Sequence, residues 1–485
     1  MANKYEPTIG LEIHVELKTK TKMFCSCLND PLQKEPNKNI CPICTAQPGS
    51  LPVINEEAIH SVIKTGLALN CKINEKTWFE RKNYFYPDLP KGYQISQYEA
   101  PICSGGKLNG IRIRRIHLEE DTGRLYHSVR TSTTPGVVAI DKSFSLVDYN
   151  RAGVPLMELV TEPDIHSAEQ AKNFAQDLQL ILRYLGISDA DMEKGQMRVE
   201  ANISLNMGTK VEVKNLNSFK SVEKAIEYEI ERQKEALEDE KEVVHETRGW
   251  NDGKQETFSQ RIKETSEDYR YFPEPDLPPL NLDKNDIEKL KAEIPELPMA
   301  RKERFVKEYK LPEKSIEVLV SFKHLGDFFE QTISELETWL EAGKIKTDLE
   351  PLIKLTANYI ITEFPKFVPT TGEIKITAEN FAELIYLTFI GEISSSGAQE
   401  VLKEMFKTGG DPSQIIESKN LKQVSDAGEL EKIIDKIIKN NPQPVEDYKK
   451  GKETALQFLI GLAMRESKGK ANPNIAGEII KKKLG

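Results

Sequence analysis

The stretch Ile9-Gly10-Leu11-Glu12-Ile13-His14-Val15-Glu16-Leu17 constrains the chain most, because it alternates without a break. Ile13, Val15 and Leu17 fall on one side, and Glu12, His14 and Glu16 on the other. Period-two alternation specifies a half-buried β-strand. Two carboxylates flanking an imidazole on one strand face repel each other unless a cation or proton sits among them. A solvated strand face with a chance histidine gives the same pattern, so this stretch alone leaves both readings open.

Further segments repeat the theme. Ile111–Asp121 ends His117-Leu118-Glu119-Glu120-Asp121, where consecutive acids at a strand end suit a cation or a polar turn. Parity leaves open which glutamate faces inward: Glu119 goes with His117, and Glu120 with Ile116 and Leu118. Glu158 is a lone acid in the apolar run after Val154-Pro155, where charges rarely sit unpaired. Met197–Leu205 alternates again, with Arg198, Glu200, Asn202 and Ser204 on one face. Asn206-Met207-Gly208 then turns the chain, and Lys210–Lys214 returns it as a hairpin. Arg81-Lys82-Asn83-Tyr84-Phe85-Tyr86-Pro87 interleaves cations and aromatics, a composition suited to holding a phosphate and stacking a base, or to a packed surface loop.

Four of the six cysteines form Cys25-x-Cys27 and Cys41-x-x-Cys44. Two pairs across a short loop have the spacing of a tetrahedral zinc site. Four thiolates leave no open coordination position, so such a zinc would brace the loop and take no part in catalysis. Ser167–Gly186 is a helix opened by a Ser167/Gln170 capping box and closed at Gly186, and a second runs over about Ser221–Asp239. Asp268–Pro279 is proline-stiffened and extended. From Arg301 to about Lys407 the periodicity is helical, including Ile316–Glu330 and Ala378–Ile390. Ser396 and Gln399 read as a capping box, Gly409-Gly410 as a hinge, and the remainder as small helices.

The 485 residues carry a net charge of −10, unevenly placed: Asn441–Gly485 holds +4 and the rest −14. A basic end on an acidic chain suits contact with a polyanion, as it suits a solubilising tail. No apolar run spans a membrane, and Met1–Glu6 is no signal peptide, so the expected location is cytoplasmic. No G-x-x-x-x-G-K-[ST] loop is present.

IGLEIHVEL, RKNYFYPDLPKGYQISQYE, RIHLEEDTGRL, YNRAGVPLMELVTEPDI, EANISL, EVKNLNSFKSVEKAIEYEIERQ and DYRYFPEPDLPPL together resemble the B-subunit family of bacterial aspartyl/glutamyl-tRNA amidotransferases, over most of the first 290 residues. The resemblance implies an α+β fold. It comprises a glutamine-synthetase-like antiparallel sheet domain over 1–293 with a zinc-bound loop, a helical domain over 294–408, and a tRNA-binding tail over 409–485. It implies a ligase of protein biosynthesis that uses ATP and Mg2+ to phosphorylate the side-chain carboxylate of Glu-tRNA(Gln) or Asp-tRNA(Asn). Ammonia from an amidase A subunit then completes the amide, with a small C subunit in the heterotrimer and a non-discriminating aminoacyl-tRNA synthetase as a further partner. By position, the resemblance implies Glu12, His14, Glu120 and Glu158 as catalytic metal ligands, Glu200 as a further Mg2+ ligand and Glu119 as an alternative to Glu120. Arg81, Lys82, Arg198 and Lys214 are candidates for contacts to ATP phosphates or the activated carboxylate. Cys25, Cys27, Cys41 and Cys44 are implied to hold structural Zn2+.

Overall fold

The computed structural model describes residues 4–127, 145–262, 270–368, 374–422, 427–467, 471 and 473–485. Asp268 and Tyr269 of the proline-stiffened segment therefore lie outside the described residues. The chain divides into two compact units, Met1–Leu297 and Pro298–Gly485.

In chain order, the elements that build the first unit's site are β1 (Pro7–Glu16), β2 (Glu80–Asn83), β3 (Tyr93–Ser96), β4 (Ile111–Glu120), β5 (Pro155–Thr161), α1 (Ala168–Tyr184), β6 (Met197–Leu205), β7 (Val211–Leu216), α2 (Phe219–Glu238), β8 (Glu246–Asn251) and β9 (Glu256–Ile262). The large sheet runs β9-β8-β7-β6-β1-β5-β4 and continues through the two-residue strands Cys103–Ser104 and Lys72–Ile73. Neighbours are antiparallel except β7 and β8, which are parallel, so the sheet is mixed.

β1 lies in the middle of this sheet, and its alternation is realised in space. Ile9, Leu11, Ile13 and Val15 are buried in a core shared with Phe174, Leu178, Val222 and Ile226 of α1 and α2. The two helices cover one sheet face and leave the polar face of β1 for chemistry. Ser167 caps α1 by accepting from the Gln170 N–H, but the Gln170 side chain reaches the His166 N–H and not that of Ser167, so the reciprocal half of the expected capping box is displaced by one residue. Gly186 follows at φ +69°. The β6–β7 hairpin turns at Asn206 and Met207, both at positive φ.

β4 carries a bulge. Val160 pairs with Arg115 and Thr161 with Ile113, so Arg114 is the inserted residue. The inserted residue reverses the inside–outside phase. Ile111 and Ile113 are buried before it, and Ile116 and Leu118 after it. Arg115, His117 and Glu119 are thereby delivered to the polar face.

The second unit is helical in its described residues. The helix expected over Ile316–Glu330 is two helices, Glu313–Ser321 and Lys323–Glu341, broken at Phe322 (φ −110°, ψ 83°). Ala378–Phe389 forms as expected. The helix Ser395–Thr408 is capped by Ser394, which accepts from Gly397 N. Ser396 is not the cap, and Gln399 instead donates to Glu363. Gly409 closes that helix in the left-handed conformation, φ +70°, where the lack of a Cβ removes the strain. Leu430, Ile434, Leu459 and Ile480 belong to a small apolar core of the last helices. Among the described residues no helix is long and apolar enough to cross a membrane.

Candidate active site and metal-binding loop

Register alone assembles the site. One row across four strands reads His117 (β4), Glu158 (β5), His14 (β1) and Arg198 (β6). The row beside it reads Arg115, Val160, Glu12 and Glu200. Cross-strand partners share a face, so acids and imidazoles from four strands stand side by side.

Glu158 is the hub. Its Oε2 lies 3.3 Å from His14 Nε2 and 3.5 Å from His117 Nε2, while its Oε1 lies 3.5 Å from Arg115 Nη2. Glu12 Oε1 is 3.8 Å from His14 Nε2, and Glu119 Oε1 is 3.5 Å from His117 Nε2. Three triads bring their ligand atoms within 4.8 Å of one another: Glu12–His14–Glu158, His117–Glu119–Glu158 and Glu12–Glu200–Glu212.

Crowding shows in the protonation equilibria. Burial, then the charges of Glu158 and Glu200, raise Glu12 to about 7 against the partial relief of His14 and Lys214. Burial alone would lower His14, but its hydrogen bond to Glu158 and the surrounding carboxylates raise it to about 9. Burial and then Asp121 raise Glu16 to about 7. Glu119 goes the other way: burial is outweighed by Lys82 and His117, and it falls to about 2. Glu158 is likewise held well below the carboxylate range, burial being overcome by His117 and His14. A face that must recruit protons to relieve its own repulsion is one that a divalent cation would satisfy. The buried His117 Nδ1 has no hydrogen-bond partner.

Cations border this face. Arg198 Nη2 donates to Asp121 at 2.7 Å and keeps a buried Nε without a partner. Lys214 pairs with Glu200 at 2.9 Å and Glu212 at 3.6 Å, and Lys82 lies 3.9 Å from Glu119. β2 and β3 close one end. Gln94 and Ser96 donate to Glu119 at 2.9 and 2.6 Å. Glu120 turns to the same small sheet, accepting from Lys91 Nζ at 2.5 Å and Ile95 N at 2.9 Å. The structure thus groups Glu12, His14, Glu158 and Glu200, sets Glu119 beside them, and engages Glu120 elsewhere. Arg81 stands apart: its guanidinium grips Glu274 through two 2.7 Å bonds, meets Asp276 at 3.3 Å and lies over the Tyr93 ring. His117, Arg115 and Asp121 were missed as site residues. The only sequence signal for His117 was its parity with Glu119.

The four cysteine sulfurs converge within 4.8 Å of one another, with Cys41 and Cys44 sulfurs 3.9 Å apart. Metal–sulfur bonds of about 2.3 Å in a tetrahedron require sulfurs ~3.8 Å apart, so the donor set fits a metal ion. A hydrogen bond from Cys25, opposed by burial and helped by Lys22, lowers Cys44 to about 5. That is the direction in which a metal-ligating thiol shifts. The loop is stitched to the turn before β5 by Asn37 N to Asp148 and Asn39 N to Asn150, at 3.0 and 2.9 Å.

A family model for the GatB/GatE catalytic domain matches residues 7–288, and one for the GatB domain matches residues 337–484. The chain is 48% identical to the B subunit of the aspartyl/glutamyl-tRNA(Asn/Gln) amidotransferase of Thermotoga petrophila, over 99% of each chain. It is 46% identical to the protein of that name from Persephonella marina, over 99% of this chain and 100% of that one, and 45% identical to that of Carboxydothermus hydrogenoformans, over 99% of each. With both its sheet unit and its helical unit matched and identity this high from end to end, the chain belongs to the B-subunit family of the aspartyl/glutamyl-tRNA(Asn/Gln) amidotransferases.

Proposed function

We propose that this chain is the carboxylate-activating component of a tRNA-dependent amidotransferase, a cytoplasmic ligase acting on Glu-tRNA(Gln), Asp-tRNA(Asn) or both. The observation that carries the reading is the row His117–Glu158–His14–Arg198, an acidic and imidazole face ending in a cation that is itself held by Asp121. The first unit acts as a glutamine-synthetase-like catalytic domain. Glu12, His14, Glu158 and Glu200, with Glu119 or Glu120, hold Mg2+. When bound, that ion offsets phosphate charge and aligns the phosphates of ATP.

The chain's own groups do the rest. Arg198, Lys214 and Lys82 receive anionic oxygens of ATP and of the substrate carboxylate, steadying charge as it moves. Arg81 supports them by anchoring the Glu274–Asp276 segment. The aminoacyl side-chain oxygen attacks the γ-phosphorus, forming a C–O–P bond, and the β–γ bridging P–O bond breaks as ADP leaves. Ammonia then attacks the acyl carbon, phosphate departs with the C–O electron pair, and the nitrogen loses a proton to leave the amide. No covalent enzyme nucleophile is required.

The cysteine loop takes structural Zn2+. The ammonia comes from an amidase A subunit, with a small C subunit completing the heterotrimer and a non-discriminating aminoacyl-tRNA synthetase supplying misacylated tRNA. The helical unit serves tRNA, with the segment beyond residue 408 gripping its body. Lys481 and Lys482 are exposed on the last helix.

The test is phosphate release from γ-labelled ATP by the assembled heterotrimer. Release is expected with Glu-tRNA(Gln) and Mg2+, and not with Gln-tRNA(Gln) or free glutamate. Equal release with free glutamate would point to a metabolite ligase.

A further inference from the structure

Lys22 is fully buried, and its ammonium has three N–H donors. Three acceptors surround it: the carbonyl oxygens of Asn39 at 2.7 Å and Tyr149 at 3.3 Å, and the sulfur of Cys44 at 3.8 Å. The carbonyls supply dipoles but no charge. Among the described residues no carboxylate lies within 4.0 Å of this ammonium. A buried ammonium needs a counter-charge, and of its three acceptors among the described residues the Cys44 sulfur is the one able to carry it.

The cysteine site has the complementary need. Four thiolates around a divalent ion carry a net double negative charge, and both Cys25 and Cys44 are buried. We infer that Lys22 is the counter-ion of the four-cysteine metal site, a positioning residue that neutralises part of the tetrathiolate charge and ties the loaded site to the backbone of Tyr149. This rests on the reading of the loop as a zinc site. It also gives the site a direction of action. Tyr149 lies in the turn that feeds β5, the strand of Glu158, and the Asn39 carbonyl lies in the metal loop, so one ammonium joins the two where they already meet through Asn39 and Asn150.

The experiment uses the full chain and reads metal, not turnover. Zinc content and the rate of zinc release to a chelator are compared for wild type and Lys22→Met, and thermal melts are recorded for both in the native and the Cys41→Ser/Cys44→Ser backgrounds. Wild type should keep zinc, and Lys22→Met should release it at least tenfold faster, the scale of a lost outer-shell partner. In the background lacking Cys41 and Cys44, Lys22→Met should leave the melting temperature unchanged or raise it, because the ammonium there has lost the Cys44 sulfur as its counter-charge. Zinc retention equal to wild type, or the same loss of melting temperature in both backgrounds, would overturn the proposal and leave Lys22 a backbone brace. Wild type that takes up no zinc would instead overturn the zinc reading itself. Should Lys22→Met not fold in the native background, Lys22→Gln replaces it, and failure of both variants in both backgrounds counts against the counter-ion role.

Discussion

His14 and Glu158 face each other across adjacent antiparallel strands, Nε2 to Oε2 at 3.3 Å, and the same carboxylate oxygen is 3.5 Å from His117 on the next strand. Although burial opposes it, the two imidazoles hold the Glu158 carboxyl well below the usual carboxylate range. Glu158→Gln keeps the shape and removes that charge. It should lower tRNA-dependent ATP turnover by roughly a hundredfold or more, the scale of losing one preorganised electrostatic group. Affinity for tRNA, measured by filter binding, should be unchanged.

The polar face gives the metal-free protein a definite pH dependence. Glu12 and Glu16 titrate near 7, above the ordinary 4.5, and His14 near 9, above 6.5. The native state thus holds more protons than the unfolded chain: His14 contributes stability that is present below 6.5 and lost as pH rises through 9. The two glutamates carry a charge penalty that appears as pH rises from 4.5 through 7. In the Cys41→Ser/Cys44→Ser background, where the lowered Cys44 thiol cannot oppose the trend, melting temperature in chelator should therefore rise as pH falls from 9 towards about 5. Saturating Mg2+ should flatten the part between 7 and 4.5, because the cation does what the protons did. A melting temperature independent of pH in chelator would contradict this.

Arg81 is assigned to architecture. Its partner Glu274 has a side chain with no exposure, so Arg81→Ala strands a buried charge, at a cost of about 3–5 kcal/mol. The expected outcome is a large fall in melting temperature by calorimetry. Any folded remainder should show an unchanged KM for ATP, whereas a raised KM would restore Arg81 to the nucleotide site.

Metal analysis of the purified chain should return about one zinc per molecule, lost in Cys41→Ser/Cys44→Ser. Protease nicking should then move to the segment around Asn37–Pro52, which the metal would otherwise brace.

A smaller check concerns the helix Ser395–Thr408. Ser394→Ala removes its cap and should cost about 1 kcal/mol, while Ser396→Ala should cost a few tenths at most. Both can be read from denaturant melts.

Much of the site is legible in the sequence itself. β1 is local, its period is unbroken, and both its faces follow from parity. Glu158 stands out because an acid in an apolar run demands a partner. What parity could not give was β4, where the insertion at Arg114 reverses the phase between Ile113 and Ile116 and puts Arg115 and His117 on the chemical face. Nor could it give Arg81–Glu274, 193 residues apart in sequence. The break at Phe322 carries no glycine or proline to announce it, and Ser394 and Ser396 offer the same hydroxyl, so local chemistry alone does not say which of them caps.

The most direct measurement follows oxygen. Glu-tRNA(Gln) bearing a heavy-oxygen label in its side-chain carboxylate is given to the assembled heterotrimer with ATP, Mg2+ and ammonia, and the released phosphate is analysed by mass. Activation by phosphorylation on this sheet face predicts one labelled oxygen in each phosphate, with the transfer abolished by Glu158→Gln or Glu12→Gln. Amide formed with no label in phosphate would contradict the account, as would transfer that survives both substitutions.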